Sequence, residues 1–146
     1  MKEYLVSVII PAYNTESYIE AMLNCVINQT YRNLEIIIID DGSIDHTPQI
    51  IDNFAQKDTR IVAVHIENSG VSNARNKGIQ LSHGEKIFFW DSDDIVELDT
   101  IEKVVKFSQN KNVESVLYSY SNRTNNVNSE KHFSNLKEIY EKEEIL

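Results

Sequence analysis

One cysteine, Cys25, stands among 146 residues, which excludes an internal disulfide framework and a cysteine-rich zinc site. Its neighbours follow a helical pattern, so a buried structural thiol is expected there rather than a reactive one. Basic residues are scarce: 14 Lys and Arg face 23 Asp and Glu, for a formal net charge of -9. No nucleic-acid partner is expected from that balance, because non-specific binding needs a basic face. The same deficit means that an anionic ligand must arrive with a cation. Long hydrophobic runs are lacking too. Leu5 to Ile10, broken by Ser7, is too short for a signal-peptide core or a membrane span. The expectation is a soluble cytoplasmic chain, with any membrane contact peripheral and at the inner face.

Familiar signatures are also missing. There is no G-x-G-x-x-G, no G-x-x-x-x-G-K-[ST], no H-E-x-x-H and no C-x-x-C, so dinucleotide, P-loop and common zinc chemistries are unsupported. His46, His65, His83 and His132 have no ligand spacing and are expected to be structural or exposed. An EF-hand loop starting at Asp91 would need glycine where Val96 stands.

What is present is an alternation. Val6 to Ile10 reads as a buried strand ended by Pro11. Tyr18, Ile19, Met22, Leu23, Val26 and Ile27 then form one face of a helix over about residues 15 to 29, with Ser17 and Glu20 at capping-box spacing. Ile36 to Ile39 is a second strand, closed by Asp40, Asp41 and Gly42. Thr47 before Pro48 reads as an N-cap, and Ile50, Ile51 and Phe54 as the buried face of the helix that follows. Ile61 to Ile66 is a third strand, Val71 to Leu81 a helix with Gly84 past its end, and Ile87 to Trp90 a fourth apolar run. Ile101, Val104, Val105 and Phe107 mark another helix, and Val113 to Tyr118 a fifth strand.

Strands that are apolar without alternation are buried on both faces, so the pattern predicts an α/β sandwich around a mostly parallel sheet. Ligands in such sheets bind at the carboxyl ends of the strands. The domain is expected over residues 1–120. A polar link rich in Asn and Ser and an acidic C-terminal helix, read as a solvated face, fill 121–146.

Two of the strand ends are carboxylate clusters. Asp91-Ser92-Asp93 follows Trp90, and carboxylates so placed point into the crevice or into water. They repel a diphosphate unless a hard cation lies between; Mg²⁺ or Mn²⁺ takes one or two carboxylates and completes its shell with phosphate oxygens. Such an ion neutralises charge on a departing diphosphate. The plain alternative is a surface turn, since Asp and Ser favour turns. For Asp40 and Asp41 the choice lies between a capping or turn role and a hydrogen bond to a ribose or base; Asp45 suits the turn role. Arg75 reads either as a counter-charge to phosphate or as half of a helix-surface salt bridge. Trp90 reads as core, in line with Phe88 and Phe89.

Four blocks in order over about residues 6 to 108 resemble the inverting family-2 glycosyltransferases with the GT-A fold. They are Val6-Ser7-Val8-Ile9-Ile10-Pro11-Ala12-Tyr13-Asn14; Gln29-Thr30-Tyr31 with Glu35 through Ser43 and then Asp45; Asn68 through Gly78; and Gly84 through Asp94. The resemblance implies a GT-A α/β/α sandwich, truncated to its nucleotide-sugar-binding half. It also implies a UDP-sugar donor, a saccharide or lipid-linked acceptor hydroxyl, and transfer with inversion. Residue by residue, it makes Asp93 the principal metal ligand, puts Asp91 with it at the metal, against the ribose or the ion's water shell, and puts Ser92 at the nucleotide. Asp41 bonds the base, Pro11, Ala12 and Tyr13 form the nucleotide pocket, and Arg75 lies near the nucleotide.

There are departures. Leu98 stands where the family has proline, and Phe89-Trp90 replaces Phe-Leu. The family's catalytic base lies in an acceptor-binding half, and no motif of that type follows the expected fifth strand; Glu138, Glu141, Glu143 and Glu144 are not assigned to that role. A truncated enzyme is therefore expected, and a homo-oligomer could cover an exposed edge. Two other readings stand beside it: a non-catalytic module binding a nucleotide or a partner chain, and, more distantly, a haloacid-dehalogenase-type phosphatase, whose D-x-D ends the first strand rather than the fourth.

Overall fold

A computed structural model describes residues 3–111 and Val116. The chain divides into two compact units, 1–102 and 103–146, and the first carries the sheet. The element order is β1 Val6–Ala12, α1 Ile19–Ile27, β2 Leu34–Asp40, α2 Thr47–Ala55, β3 Ile61–His65, α3 Val71–Leu81, β4 Lys86–Phe89 and α4 Thr100–Lys111. The four strands are parallel in the order β3-β2-β1-β4. Right-handed crossovers put α1 and α2 on one face and α3, which returns across the sheet to start β4, on the other. Ile9, Ile37 and Ile39 pack with Ala74 of α3, while Val8, Ile10, Ile36 and Ile38, also fully buried, point to the opposite face. This double burial is why the strands carry isoleucine without alternation. Gly78 lets α3 lie close on β1, since a Cβ there would collide with Ile9.

Several expectations need correction. β1 does not end at Pro11 but runs through it to Ala12. Ile9 faces β4, where its carbonyl accepts from the Trp90 N–H. Pro11, two residues on, turns its missing N–H to the same side, beyond the end of β4, where no ladder bond is lost. α1 begins only at Ile19, and Tyr18 at its N-cap makes no side-chain cap bond, so Ser17 and Glu20 form no capping box. The segment before it is held elsewhere, by bonds to the β2–α2 loop. Thr47 is the first residue of α2 rather than its cap; its N–H donates to Asp45 Oδ1 at 2.9 Å, which gives Asp45 the turn role.

Gly84 does not cap α3. It lies against β1, where a Cβ would stand 2.6 Å from the Ser7 nitrogen. The fourth apolar run is only half core: Phe88 and Trp90 are buried, but Ile87 and Phe89 are 39% and 45% exposed. They share the face of Ile9, and α3 covers that face over β1 and β2, leaving β4 bare. Cys25 is half-buried on α1. The expected fifth strand, Val113 to Tyr118, and the whole of 121–146 lie outside the described residues, Val116 apart.

Candidate functional site

The strand order reverses between β1 and β4, so the crevice predicted for such a sheet opens beyond Ala12 and Phe89. Its floor and walls come from three strand ends. β1 delivers Pro11 and Ala12, both buried, and Tyr13, half exposed. The Ala12 carbonyl already accepts from the Asp41 N–H at 2.8 Å, so Ala12 offers a ligand little but its small surface.

The β1–α1 and β2–α2 loops are stitched together. The Asn14 N–H donates to Ser43 Oγ, the Ile44 N–H to Asn14 Oδ1, the Thr15 N–H to Thr47 Oγ1 and the Glu16 N–H to Asp45 Oδ2. The carboxylate of Glu16 in turn accepts from the His46 N–H and pairs with its ring, and these bonds hold the Glu16 pKa below the usual carboxylate range. This tie was invisible in the sequence, because its partners lie about thirty residues apart.

β2 delivers Asp40 and Asp41, and both are buried. Asp40 pairs with His65 Nδ1 at 2.9 Å and accepts from the Ser43 N–H; His65 reaches Asp52 with its other nitrogen. The Asp40 hydrogen bond raises the His65 pKa against the opposing effect of partial burial. Asp41 accepts from the Ser69 and Gly70 N–H groups at 2.8 and 2.9 Å, at the start of α3. Asp40 is thus committed to the fold, and Asp41 has a capping role that its spare lone pairs leave compatible with a further donor. His46 and His83 are exposed and paired with Glu16 and Glu35; His132 lies outside the described residues.

β4 delivers the D-x-D. Asp91 and Asp93 are exposed and Ser92 is buried. Trp90 is buried edge-on to Phe88, a core position as expected. Arg75 reaches across from α3 to place Nη2 2.6 Å from Asp91 Oδ1. Of the two readings of Arg75, the structure shows the salt bridge, and its partner is the Asp91 carboxylate. Asp93 makes no hydrogen bond or ion pair among the described residues. The Asp94 carboxyl turns back onto the Asp91 N–H; partial desolvation, then the nearby Asp91 and Asp93 charges, raise its pKa.

Beside Arg75, Ser72, Asn76, Ile79 and Phe89 line an open depression of about 390 Å³ between α3 and β4. No group of three or more His, Cys, Asp or Glu converges on one point among the described residues. A metal ion could therefore meet at most two such side chains at any one point among the described residues. That suits an ion that takes one or two carboxylates and fills its shell from phosphate and water, and does not suit one needing an all-protein cage. No helix among the described residues is long and apolar enough to cross a membrane.

The model of the family described as "Glycosyl transferase family 2" matches residues 7–145. "Glycosyltransferase GlyG" of Streptococcus pneumoniae is 41% identical over 119 residues, 81% of this chain and 40% of that protein. "Putative glycosyltransferase EpsH" of Bacillus subtilis is 44% identical over 106 residues, 73% of this chain and 31% of that protein. Among solved structures, S. aureus TarS 1-349 in complex with UDP superposes with a TM-score of 0.75 at 28% identity, covering 84% of this chain and 38% of that one. The mannosyltransferase PcManGT from Pyrobaculum calidifontis, in complex with GDP-Man and Mn²⁺, gives 0.73 at 27% identity, covering 82% and 37%. The α/β architecture is thus that of GT-A transferases. The chain spans less than half the length of these relatives.

Proposed function

Because the chain belongs to glycosyl transferase family 2, we propose that its crevice binds the donor of a sugar transfer, a nucleoside-diphosphate sugar with UDP as the nucleotide, through one divalent ion, Mn²⁺ or Mg²⁺. The observation that carries this reading is the pair Asp91 and Asp93. They are exposed carboxylates at the switch point of a parallel sheet, whereas Asp40 and Asp41 at the neighbouring strand end are buried and bonded.

Each part of the crevice has a task that its chemistry suits. Asp93, with no partner among the described residues, and Asp91 would hold the ion. When bound, it would neutralise charge on the departing diphosphate. Tyr13 offers a ring face to the base, over the rigid floor of Pro11 and Ala12. Asp41 would accept a hydrogen bond from a base N–H on a lone pair its capping bonds leave free. Arg75 would bring positive charge to the phosphates, and Ser92, buried between Asp91 and Asp93 in the chain, would lie at the nucleotide. A single displacement at the anomeric carbon by an acceptor hydroxyl, of a saccharide or a lipid-linked saccharide, would invert its configuration. The base that deprotonates this hydroxyl is assigned to none of the described residues.

Thermal unfolding with UDP, with Mn²⁺ and with both tests the reading. A ligand at a hundred times its dissociation constant stabilises by about 2.7 kcal/mol, a rise of roughly 5 to 11 °C for a chain of this size. The rise is expected only with both together, and not in Asp93→Ala. No rise at millimolar ligand would overturn the donor site and leave a module that binds a partner by other means.

A further inference from the structure

The Arg75–Asp91 contact has a feature that a simple surface ion pair lacks. While Nη2 sits 2.6 Å from Asp91 Oδ1, the Nε atom of the same guanidinium is buried and has no acceptor. A buried donor without a partner is unfavourable, so this position leaves the side chain incompletely satisfied. Its neighbours in the depression, Ser72, Asn76, Ile79 and Phe89, supply no carboxylate to complete the fork. Arg75 is also the one cation that the structure pairs with the Asp91–Asp94 turn among the described residues, where three carboxylates lie within four positions.

From this we propose that Arg75 is a positioning residue that competes with the divalent ion for Asp91 and, once displaced, turns to the diphosphate. The inference rests on the donor-site reading above and adds an order to it. A metal ion alone must take Asp91 from a guanidinium and then sit beside its positive charge. Both effects oppose binding. A metal ion that arrives with a diphosphate gives the released guanidinium an anionic partner whose oxygens can accept two bonds from its planar fork. Arg75 therefore makes metal and nucleotide bind as a pair. By linkage, each raises the affinity of the other by the same factor.

The test is Mn²⁺ binding, followed by the loss of the free-ion electron paramagnetic resonance signal, with and without UDP. It is run on the wild-type chain and on Arg75→Gln, Arg75→Lys and Asp93→Ala. In Arg75→Gln, Mn²⁺ alone is expected to bind about fivefold more tightly, the upper range for an exposed ion pair. The gain in Mn²⁺ affinity on adding UDP is expected to shrink by a similar factor or more. Arg75→Lys, which keeps the charge, is expected to stay near wild type for Mn²⁺ alone.

A purely structural role for Arg75 would weaken both measurements together, and that result overturns the proposal. So does an unchanged affinity for Mn²⁺ alone. If the wild-type chain binds no Mn²⁺ even with UDP, or Asp93→Ala binds it as wild type does, the donor-site reading fails first and the inference falls with it.

Discussion

The two ends of the sheet treat their carboxylates in opposite ways. At the amino end, Glu35 of β2 accepts from Ser7 Oγ, from the His83 and Gly84 N–H groups, and pairs with the His83 ring. Burial alone would raise its pKa, but these bonds together outweigh burial and lower it. At the carboxyl end, Asp91 has a single guanidinium, Asp93 has no partner among the described residues, and Asp94 is pushed up by desolvation and by its neighbours' charge. The same functional group is thus saturated where it holds strands together and left under-satisfied in the turn after β4. Asp40 and Asp41 show that the carboxyl end can satisfy a carboxylate as well, so the shortfall belongs to the turn after β4 and not to that end as a whole.

The contrast can be broken most forcefully at the amino end. Glu35→Ala leaves the buried Ser7 hydroxyl and the His83 N–H without their acceptor, while the Gly84 N–H keeps Ser7 Oγ, and is expected to destabilise the chain by about 3 kcal/mol. Denaturant unfolding measures it; a loss below about 1 kcal/mol would mean that the amino end is no better satisfied than the carboxyl end. Where the variant remains folded, its metal-dependent response to UDP should match wild type.

Asp41 is the intermediate case, a carboxylate at the crevice that also caps α3. Asp41→Ala should lower stability by about 2 kcal/mol, since the Ser69 and Gly70 N–H groups lose their acceptor, and should also abolish the UDP response. Asp41→Asn sharpens the comparison. It keeps an acceptor for one of the two N–H groups and presents an amide that can donate, so it is expected to recover part of the stability and little of the nucleotide response. Full recovery of both, read in the same two assays, would reduce Asp41 to a cap.

His65 probes the ties that brace the crevice from behind. Its pKa is raised above 6.5, first by the hydrogen bond to Asp40. A histidine raised in the folded state contributes stability that is fully present below about pH 6.5 and is lost as the pH climbs through the raised value. Unfolding free energy measured from pH 5.5 to 9 should therefore fall across that window in the wild-type chain. Relative to His65→Ala, the wild-type advantage should be about 1 kcal/mol at the acid end and smaller at the alkaline end. A difference independent of pH would show that the Asp40–His65 contact carries no charge.

Much of this was legible in the residues and some was not, for physical reasons. α3 begins and ends at Val71 and Leu81 as read, although Gly84, read as lying just past its end, serves the packing on β1 instead. The D-x-D was legible because a strand end offers two carboxylates few places to go. Pro11 was misread because a proline stops a strand only where its missing N–H faces a neighbour, and the length of β4 decides that. Ser17 and Glu20 have the spacing of a cap, yet bonds from residues 14–16 to Ser43, Asp45 and Thr47 hold the chain out of the helix until Ile19. Glu35 and its partners, like Arg75 and Asp91, were not paired in advance. Their separations, 28 to 49 residues for the first set and 16 for the second, leave no periodic trace.

Asp93 gives the smallest effect on the fold and decides most about the crevice. Its carboxylate is exposed and unpaired among the described residues, so Asp93→Ala should change stability by no more than about 0.5 kcal/mol. The sign should be favourable, because removing one of three clustered charges relieves Asp94, whose pKa Asp93 helps to raise. The magnitude should fall further in high salt, which screens exposed charges. If Asp93→Ala instead costs 2 kcal/mol or more in denaturant unfolding, Asp93 is a structural acid like Glu35 and the two ends of the sheet are alike. If it costs nothing while the joint response to UDP and Mn²⁺ disappears, the carboxylate is there for the ion alone, and the repulsion it brings to the turn is the strain that a bound cation relieves.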